Sequence, residues 1–163
     1  MSTVSSSTPT RYTVVPRTLC FVLDGDDVLL IKRSPQRRIF PGKINGVGGH
    51  VERDEDVRSA AVREILEETG VAVTDLRLAG IVNVDGEVGQ AERQAGGVLP
   101  GVMLFVFTAQ ATGRDVRRSE EGELVWVPLT AVHDLDWVDG DPRLLLQALE
   151  ARDGGHPFFT RIG

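Results

Sequence analysis

The sequence predicts one domain of the α/β (α+β) class, with a mixed β-sheet covered by helices on both faces. The chain has 163 residues, of which 41% are hydrophobic, and this is enough for a single globular core. β-prone apolar segments are interspersed with a few helical segments, without an internal repeat or a second domain boundary. We expect a flexible, Ser/Thr-rich leader at residues 1–12 and a folded domain over residues 13–163.

Composition argues against several classes of protein. The formal net charge is −6, which argues against a protein that coats nucleic acid. No apolar run approaches the roughly 20 residues of a membrane-spanning helix, and the N-terminus lacks the apolar core of a signal peptide. Cys20 is the single cysteine, which excludes an internal disulfide framework and favours a reducing compartment. We expect a cytoplasmic protein that binds neither a nucleic-acid polymer nor a membrane; whether it is a monomer or a homodimer stays open.

Local signals predict the order of strands and helices. The turn Asp24-Gly25-Asp26-Asp27 between two β-prone segments predicts a hairpin. Asp141-Pro142 predicts the start of a final helix that ends near Arg152. The Gly-rich stretch 85–101 has no clear periodicity, and its role stays open. Predicted strands occupy residues 17–23, 28–31, 76–84, 102–109 and 124–127, with one helical turn at 130–135.

The clearest helix follows an acidic cluster at residues 54–56, because negative charge favours a helix N-terminus. Good helix formers continue through Thr69, and Gly70 stands where a C-terminal cap is expected. At roughly 100° per residue, this helix is predicted to have an apolar arc and, opposite to it, an arc of carboxylates. The apolar arc comprises Ala61, Val62, Ile65, Leu66 and Thr69, and the acidic arc comprises Glu64, Glu67 and Glu68.

The three glutamates of this helix have a spacing that suits a metal ion. Side chains at i, i+3 and i+4 lie roughly 5–6 Å apart, so Glu64, Glu67 and Glu68 converge and repel by a few tenths of a kcal/mol. A hard cation such as Mg²⁺ removes that repulsion and takes both carboxylate and phosphate oxygens as ligands. It would also polarise a phosphoryl oxygen and activate a bound water. A solvated acidic helix face is the alternative interpretation of the same residues.

Residues 49–71 contain a spaced pattern of Gly49, five residues, Glu55, seven residues and then Arg63-Glu64-Ile65-Leu66-Glu67-Glu68-Thr69-Gly70-Val71. This pattern resembles the Nudix box, the signature of the Nudix hydrolases, at every specified position. The resemblance implies an α/β/α sandwich with a mixed sheet. It also implies hydrolysis of a nucleoside diphosphate linked to another moiety. Outside the box, the resemblance extends loosely over about residues 17–150.

The resemblance also implies roles for individual residues. Glu64, Glu67 and Glu68 would bind Mg²⁺, or alternatively Mn²⁺, together with the backbone carbonyl of Gly48. Arg63 would orient these glutamates through a salt bridge. Glu55 would join the same network, and either it or a box glutamate would be the catalytic base.

A further metal-binding or base glutamate is expected just before the predicted strand 124–127, because many members of the family have one there. Glu120 is the first candidate because of its spacing to Trp126, and Glu121 is the second. A charged loop without a ligand role is the alternative for both residues.

Candidate substrate contacts lie outside the box. Arg33 and Arg38 belong to a basic stretch that also contains Arg37 and Lys43; they would contact a polyphosphate or form a solvated loop. Asn45 opens a segment that resembles the entry to the box in MutT-type enzymes, which hydrolyse oxidised purine nucleoside triphosphates; simple turn chemistry is the alternative. Trp137 and Asp139 would stack on and hydrogen-bond a base, with a core position as the alternative for Trp137.

Together these features predict a Mg²⁺-dependent hydrolase, first of all a MutT-like nucleoside triphosphate pyrophosphohydrolase that releases a nucleoside monophosphate and pyrophosphate. The shortness of the chain favours this substrate class. An ADP-ribose, dinucleotide or nucleotide-sugar pyrophosphatase is the second interpretation. A nucleotide-binding Nudix module without turnover is the third, and the complete set of box glutamates argues against it.

Overall fold

The computed structural model of the protein describes residues 11–85 and 100–163. Most of the predicted leader at 1–12 and of the stretch 85–101 therefore lies outside the described residues. Neither of the α-helices in the described ranges is long and apolar enough to cross a membrane. In chain order the elements are β1 (Val14–Asp24), β2 (Asp27–Arg33), β3 (Ile44–Asn45), α1 (Val57–Thr69), β4 (Val73–Val84), β5 (Gly101–Ala111), β6 (Gly122–Pro128), a 3₁₀ helix (Leu129–Asp134), α2 (Arg143–Arg152) and β7 (Phe158–Ile162).

The local signals for turns and caps are confirmed. Asp24 pairs with Asp27 across the predicted hairpin turn. The side chain of Asp56 caps α1 by accepting a hydrogen bond from the Ser59 backbone N–H, and Gly70 ends the helix in the left-handed conformation with φ of 74°. Strand β7 was not predicted. It forms by parallel pairing with β4, a long-range interaction that a local pattern does not contain.

The strands form one mixed sheet, as predicted. Their order is β3-β2-β1-β5-β4-β7, and β6 pairs with β2 beside this path. The β1–β5 and β4–β7 pairs are parallel, whereas β1–β2, β2–β6 and β4–β5 are antiparallel. A parallel pair needs a long crossover connection, and between β1 and β5 this connection includes α1.

Helices cover both faces of the sheet. Successive side chains of the central strand β1 point to opposite faces, and each face packs against a different helix. Leu19, Phe21 and Leu23 of β1 belong to one core, to which α2 contributes Leu144, Leu145 and Ala148. Cys20 and Val22 belong to a second core, to which α1 contributes Ala61 and Ile65. The α/β/α sandwich is therefore confirmed, with α1 and α2 on opposite faces.

The buried face of α1 differs from the predicted one. Val62 and Leu66 are 43% and 46% exposed, so they do not belong to the core. The buried residues are Ala60, Ala61, Ile65 and Thr69. Successive residues of an α-helix are rotated by roughly 100°, so Glu64 and Glu68 fall within the arc of these buried residues. Of the three glutamates, only Glu67 falls outside this arc. The predicted position of Glu64 and Glu68 opposite the buried face is therefore wrong.

Replacing Ile65 should show how far α1 depends on this stripe. Ile65 is fully buried, so Ile65→Ala should lower the free energy of unfolding by about 2–5 kcal/mol, since it removes buried methylenes and leaves a cavity. Val62→Ala is the matched control in the same helix and should change stability by less than about 0.5 kcal/mol. Urea denaturation measures both values. Equal losses in the two variants would contradict the buried face described here.

Candidate metal and active site

Arg63 connects the acidic side chains of the box. Its Nε and Nη2 donate to the two carboxylate oxygens of Glu55 at 3.0 and 2.5 Å. Its Nη1 donates to Glu64 at 2.9 Å and to Glu67 at 3.2 Å, and Nη2 also donates to the His50 carbonyl at 3.0 Å. The paired hydrogen bonds with Glu55 raise the pKa of Arg63, and in turn Arg63 lowers the pKa of Glu55. One guanidinium thus positions three carboxylates.

Glu68 points toward the sheet instead of toward Arg63. Its Oε2 accepts a hydrogen bond from the Gly48 backbone N–H at 3.0 Å. The carboxyl groups of Glu68 and Glu121 lie within hydrogen-bonding reach of each other. Burial and then the neighbouring Glu121 carboxyl raise the pKa of Glu68 to about 9. Two such carboxyl groups in contact need a proton or a cation between them, so a positive ion is favoured at this position.

Gly48 and Gly49 give the glutamates of α1 the space to approach the sheet. A Cβ on Gly49 would lie 2.5 Å from the carboxylate carbon of Glu64, and a Cβ on Gly48 would overlap the Thr18 carbonyl oxygen. The carbonyl of Gly49 accepts from the Thr18 N–H at 2.8 Å, and that of Val47 accepts from the Cys20 N–H at 2.6 Å. Because backbone groups alternate in extended chain, the Gly48 N–H and carbonyl point away from β1, toward α1.

The available donors suit a hard divalent cation. They are oxygens: the carboxylates of Glu64, Glu67, Glu68 and Glu121 and the carbonyl of Gly48. In residues 11–85 and 100–163, no three acidic, His or Cys side chains already converge as a cage for a metal. Arg63 holds Glu64 and Glu67, while Glu68 turns to Gly48 and Glu121. Such an open set fits Mg²⁺, which takes few carboxylates and shares its sphere with water and substrate phosphate.

Glu121, the second of the two candidates before β6, contacts Glu68 of the box. Residues 119–122 form a turn in which Ser119 bridges Gly122, so the side-chain alternation of β6 stops at Gly122. Glu120 is exposed on this turn. The structure therefore favours Glu121 over Glu120 as the additional ligand, and a ligand role for either residue stays a prediction.

The residues considered for base recognition occupy ordinary structural positions. Trp137 is only 4% exposed, and its indole N–H donates to the Val132 carbonyl at 2.7 Å. It therefore occupies a core position, the alternative considered for it, and its ring is not available to stack on a base. The side-chain oxygen of Asn45 accepts from the Gly46 N–H at 2.9 Å, as in a simple turn. Asp139 lies at the surface beside Asp141, but neighbouring protein atoms displace part of the water around its carboxyl group. This desolvation and then the charge of Asp141 raise the pKa of Asp139.

Arg33 and Arg37 lie on the side of Glu121. Arg33 donates from Nε to the Ile39 carbonyl at 3.0 Å, and burial followed by the charge of Arg37 lowers its pKa. Arg17 of β1 is close enough to act in the same direction, whereas Glu121 opposes it. Arg38 is exposed, and its side chain has no hydrogen bond or ion pair within the described part of the chain. We call Arg33 and Arg37 the basic group.

Sequence reasoning missed Arg17, which is distant along the chain from the basic stretch. Arg17 lies within β1, where it pairs with Leu104 of β5, and no local pattern relates it to the basic stretch. The pairing of Arg17 with His50, next to Gly49, places it at the entry to the box.

The two glycines should respond differently to an added methyl group. Gly49→Ala should keep the free energy of unfolding within about 1 kcal/mol of wild type, since the clash is with the mobile end of Glu64. It should weaken Mn²⁺ binding about tenfold or more, because Glu64 must move. Gly48→Ala should cost about 3 kcal/mol or more, because its Cβ meets backbone. Calorimetric titration and urea denaturation measure these effects; unchanged Mn²⁺ affinity in Gly49→Ala would contradict the assignment of Glu64.

Comparisons with known proteins agree with the fold and the box. The family model of the NUDIX domain matches residues 14–148. The chain is 30% identical over 149 residues to the uncharacterized Nudix hydrolase YvcI of Bacillus subtilis, covering 91% of this chain and 88% of YvcI. It is 31% identical over 123 residues to the oxidized purine nucleoside triphosphate hydrolase of Mus musculus, covering 75% and 72% of the two chains.

Among solved structures, the crystal structure of the MutT protein from Bacillus halodurans matches with a TM-score of 0.63 and 28% identity, covering 82% of this chain and 80% of that one. The family model covers most of the chain, and the carboxylates and glycines of the box occupy one site. The protein therefore belongs to the Nudix hydrolases, enzymes that use divalent metal ions to cleave pyrophosphate bonds in nucleoside diphosphate derivatives.

Proposed function

We propose that this enzyme is a Mg²⁺-dependent nucleoside triphosphate pyrophosphohydrolase, which adds water to its substrate and releases a nucleoside monophosphate and pyrophosphate. The observation that carries the proposal is the position of the basic group beside an acidic site. A triphosphate suits both regions: some of its oxygens would coordinate the metal ion held by the glutamates, and others would accept hydrogen bonds from the arginines of the basic group. The likeness to the mouse hydrolase of oxidized purine nucleoside triphosphates supports the same substrate class.

Each carboxylate has a distinct part in this proposal. Glu64, Glu67, Glu68 and Glu121 would hold the ion together with the Gly48 carbonyl. Bound there, Mg²⁺ would neutralise charge on the phosphoryl oxygens and lower the pKa of a water molecule. Arg63 would keep the site in place when Glu64 turns toward the ion, since its two hydrogen bonds to Glu55 do not depend on Glu64.

Glu55 is better suited to orienting Arg63 than to accepting a proton. Its Oε2 accepts from Arg63 Nε, and its Oε1 accepts from Arg63 Nη2 and from the Glu52 backbone N–H at 2.9 Å. These hydrogen bonds stabilise the charged carboxylate and lower its pKa. We therefore place the general base among the glutamates of the metal site. We also expect the enzyme to act in the cytoplasm on the free nucleotide pool.

A panel of substrates with Mg²⁺ tests the proposed activity. It should contain canonical and oxidised nucleoside triphosphates, ADP-ribose, dinucleotide polyphosphates and nucleotide sugars. Triphosphates should react fastest and yield pyrophosphate, which a coupled phosphate assay detects after pyrophosphatase treatment. Faster cleavage of ADP-ribose to two monophosphates would favour the second substrate class. Nucleotide binding without any product would instead indicate a module without turnover.

Glu68→Gln separates metal binding from folding. The variant should lose hydrolysis by about 10²-fold or more, because it removes a charged ligand. Its stability at neutral pH without added metal should rise by about 1 kcal/mol, or roughly 2–4 °C in Tm. The reason is that folding raises the pKa of the Glu68 carboxyl, which costs stability above its unfolded pKa, whereas an amide does not titrate. Scanning calorimetry and the hydrolysis assay measure these opposite effects. Glu150→Gln, on the exposed side of α2, is the control and should change neither; full activity in Glu68→Gln would place the metal site elsewhere.

A further inference from the structure

Arg37 has an incomplete set of hydrogen-bond partners beside the acidic site. Its Nη2 lies 3.3 Å from Oε1 of Glu121, and the two side chains are 40% and 47% exposed. Its Nε is buried and has no acceptor among the residues that the structure describes. A buried donor on a charged group is costly unless an acceptor reaches it. Within the described residues, Arg37 therefore has an unpaired donor, which a ligand can reach once the side chain moves away from Glu121.

Glu121 does not need Arg37 to keep its place. Its backbone carbonyl accepts from the Ser34 N–H at 3.1 Å, and its own N–H donates to the Ser119 hydroxyl at 3.2 Å. The next residue, Gly122, is fixed as well, because the register of β6 against β2 pairs it with Arg33. An ion pair as exposed as that of Arg37 and Glu121 adds little stability. Arg37 can therefore leave Glu121 without moving the turn that carries it.

A divalent cation and Arg37 would compete for the same carboxylate. Glu121 faces Arg37 on one side and Glu68 on the other. Two carboxylates in contact attract a divalent ion more strongly than a partly exposed guanidinium. Once Glu121 binds such an ion, Nε and Nη2 of Arg37 are both available as parallel hydrogen-bond donors. Two donors in this arrangement match two oxygens of a phosphate group.

The charge around Arg37 favours an anion as its new partner. Arg33 lies close enough for its charge to act together with that of Arg37. Neighbouring cations without a full set of acidic partners create a positive potential, which attracts phosphate groups. The turn at residues 34–37, closed by the hydrogen bond from the Arg37 N–H to the Ser34 carbonyl at 3.0 Å, keeps Arg37 at this edge.

We propose that Arg37 binds a phosphate group of the substrate, and that its pair with Glu121 is an exchangeable contact which metal binding replaces. The inference rests on the proposed function, because it assigns Glu121 to the metal site. Arg37 would then be a substrate-binding residue. The sequence of the basic stretch does not separate it from the neighbouring basic residues. A clamp role, in which Arg37 only holds Glu121 in position, predicts the opposite effect on metal affinity.

The test compares Arg37→Ala and Arg37→Lys with Gln36→Ala, a control on the exposed part of the same turn. Calorimetry measures Mn²⁺ binding to the protein alone, and then inorganic pyrophosphate binding at saturating Mn²⁺. Arg37→Ala should bind Mn²⁺ at least as tightly as wild type and pyrophosphate about tenfold more weakly. Arg37→Lys should recover part of the loss, since a point charge cannot present the two parallel donors. Gln36→Ala should match wild type in both titrations.

Kinetics add a second readout. With the preferred nucleotide, KM should rise by a similar factor in Arg37→Ala, while kcat changes less. Weaker Mn²⁺ binding in Arg37→Ala would establish the clamp role and overturn the inference. Unchanged pyrophosphate affinity in that variant, or a wild type that binds no pyrophosphate, would also overturn it. A wild type that binds pyrophosphate through Arg37 and hydrolyses no nucleotide would contradict the proposed function and support the phosphate contact.

Discussion

The close approach of helix α1 to the segment at Gly48 and Gly49 is the constraint on which the rest of the site depends. Any side chain at Gly49 would occupy the space of the Glu64 carboxylate, and one at Gly48 would overlap backbone. With both side chains absent, α1 buries apolar residues and still turns Glu64 and Glu68 inward. The structure thus combines a packed core face and a polar site on one side of a single helix.

Electrostatics then decide how these inward carboxylates are kept. Arg63 compensates Glu55, Glu64 and Glu67, and the Gly48 N–H compensates Glu68 only in part. The contact between Glu68 and Glu121 is left for a proton or a cation, since burial makes two adjacent negative charges costly. The net charge of −6 therefore does not argue against polyphosphate substrates, because bound metal inverts the local sign.

Much of the fold could be predicted because its signals are local. The Gly70 cap and the hairpin turn each depend on a few neighbouring residues, and both are confirmed. The acidic cluster at residues 54–56 directly precedes α1, as expected, and the structure identifies Asp56 in it as the N-cap. Strand β7 could not be predicted in this way, because it is stabilised by pairing with β4. The face of α1 was misjudged for a related reason: hydrophobicity identifies Val62 and Leu66 as apolar, but only packing shows that nothing covers them.

The sequence by itself determined the family and the set of charged residues in the box, because their spacing is written along one helix and the loop before it. Only the tertiary structure decided which outside residues join them. Glu121, on the turn that precedes β6, contacts Glu68, and Trp137 is enclosed in the core instead of facing a ligand. Arg37 meets Glu121 across two turns that are distant along the chain. Such contacts depend on strand register, and register is set by pairing across the whole sheet.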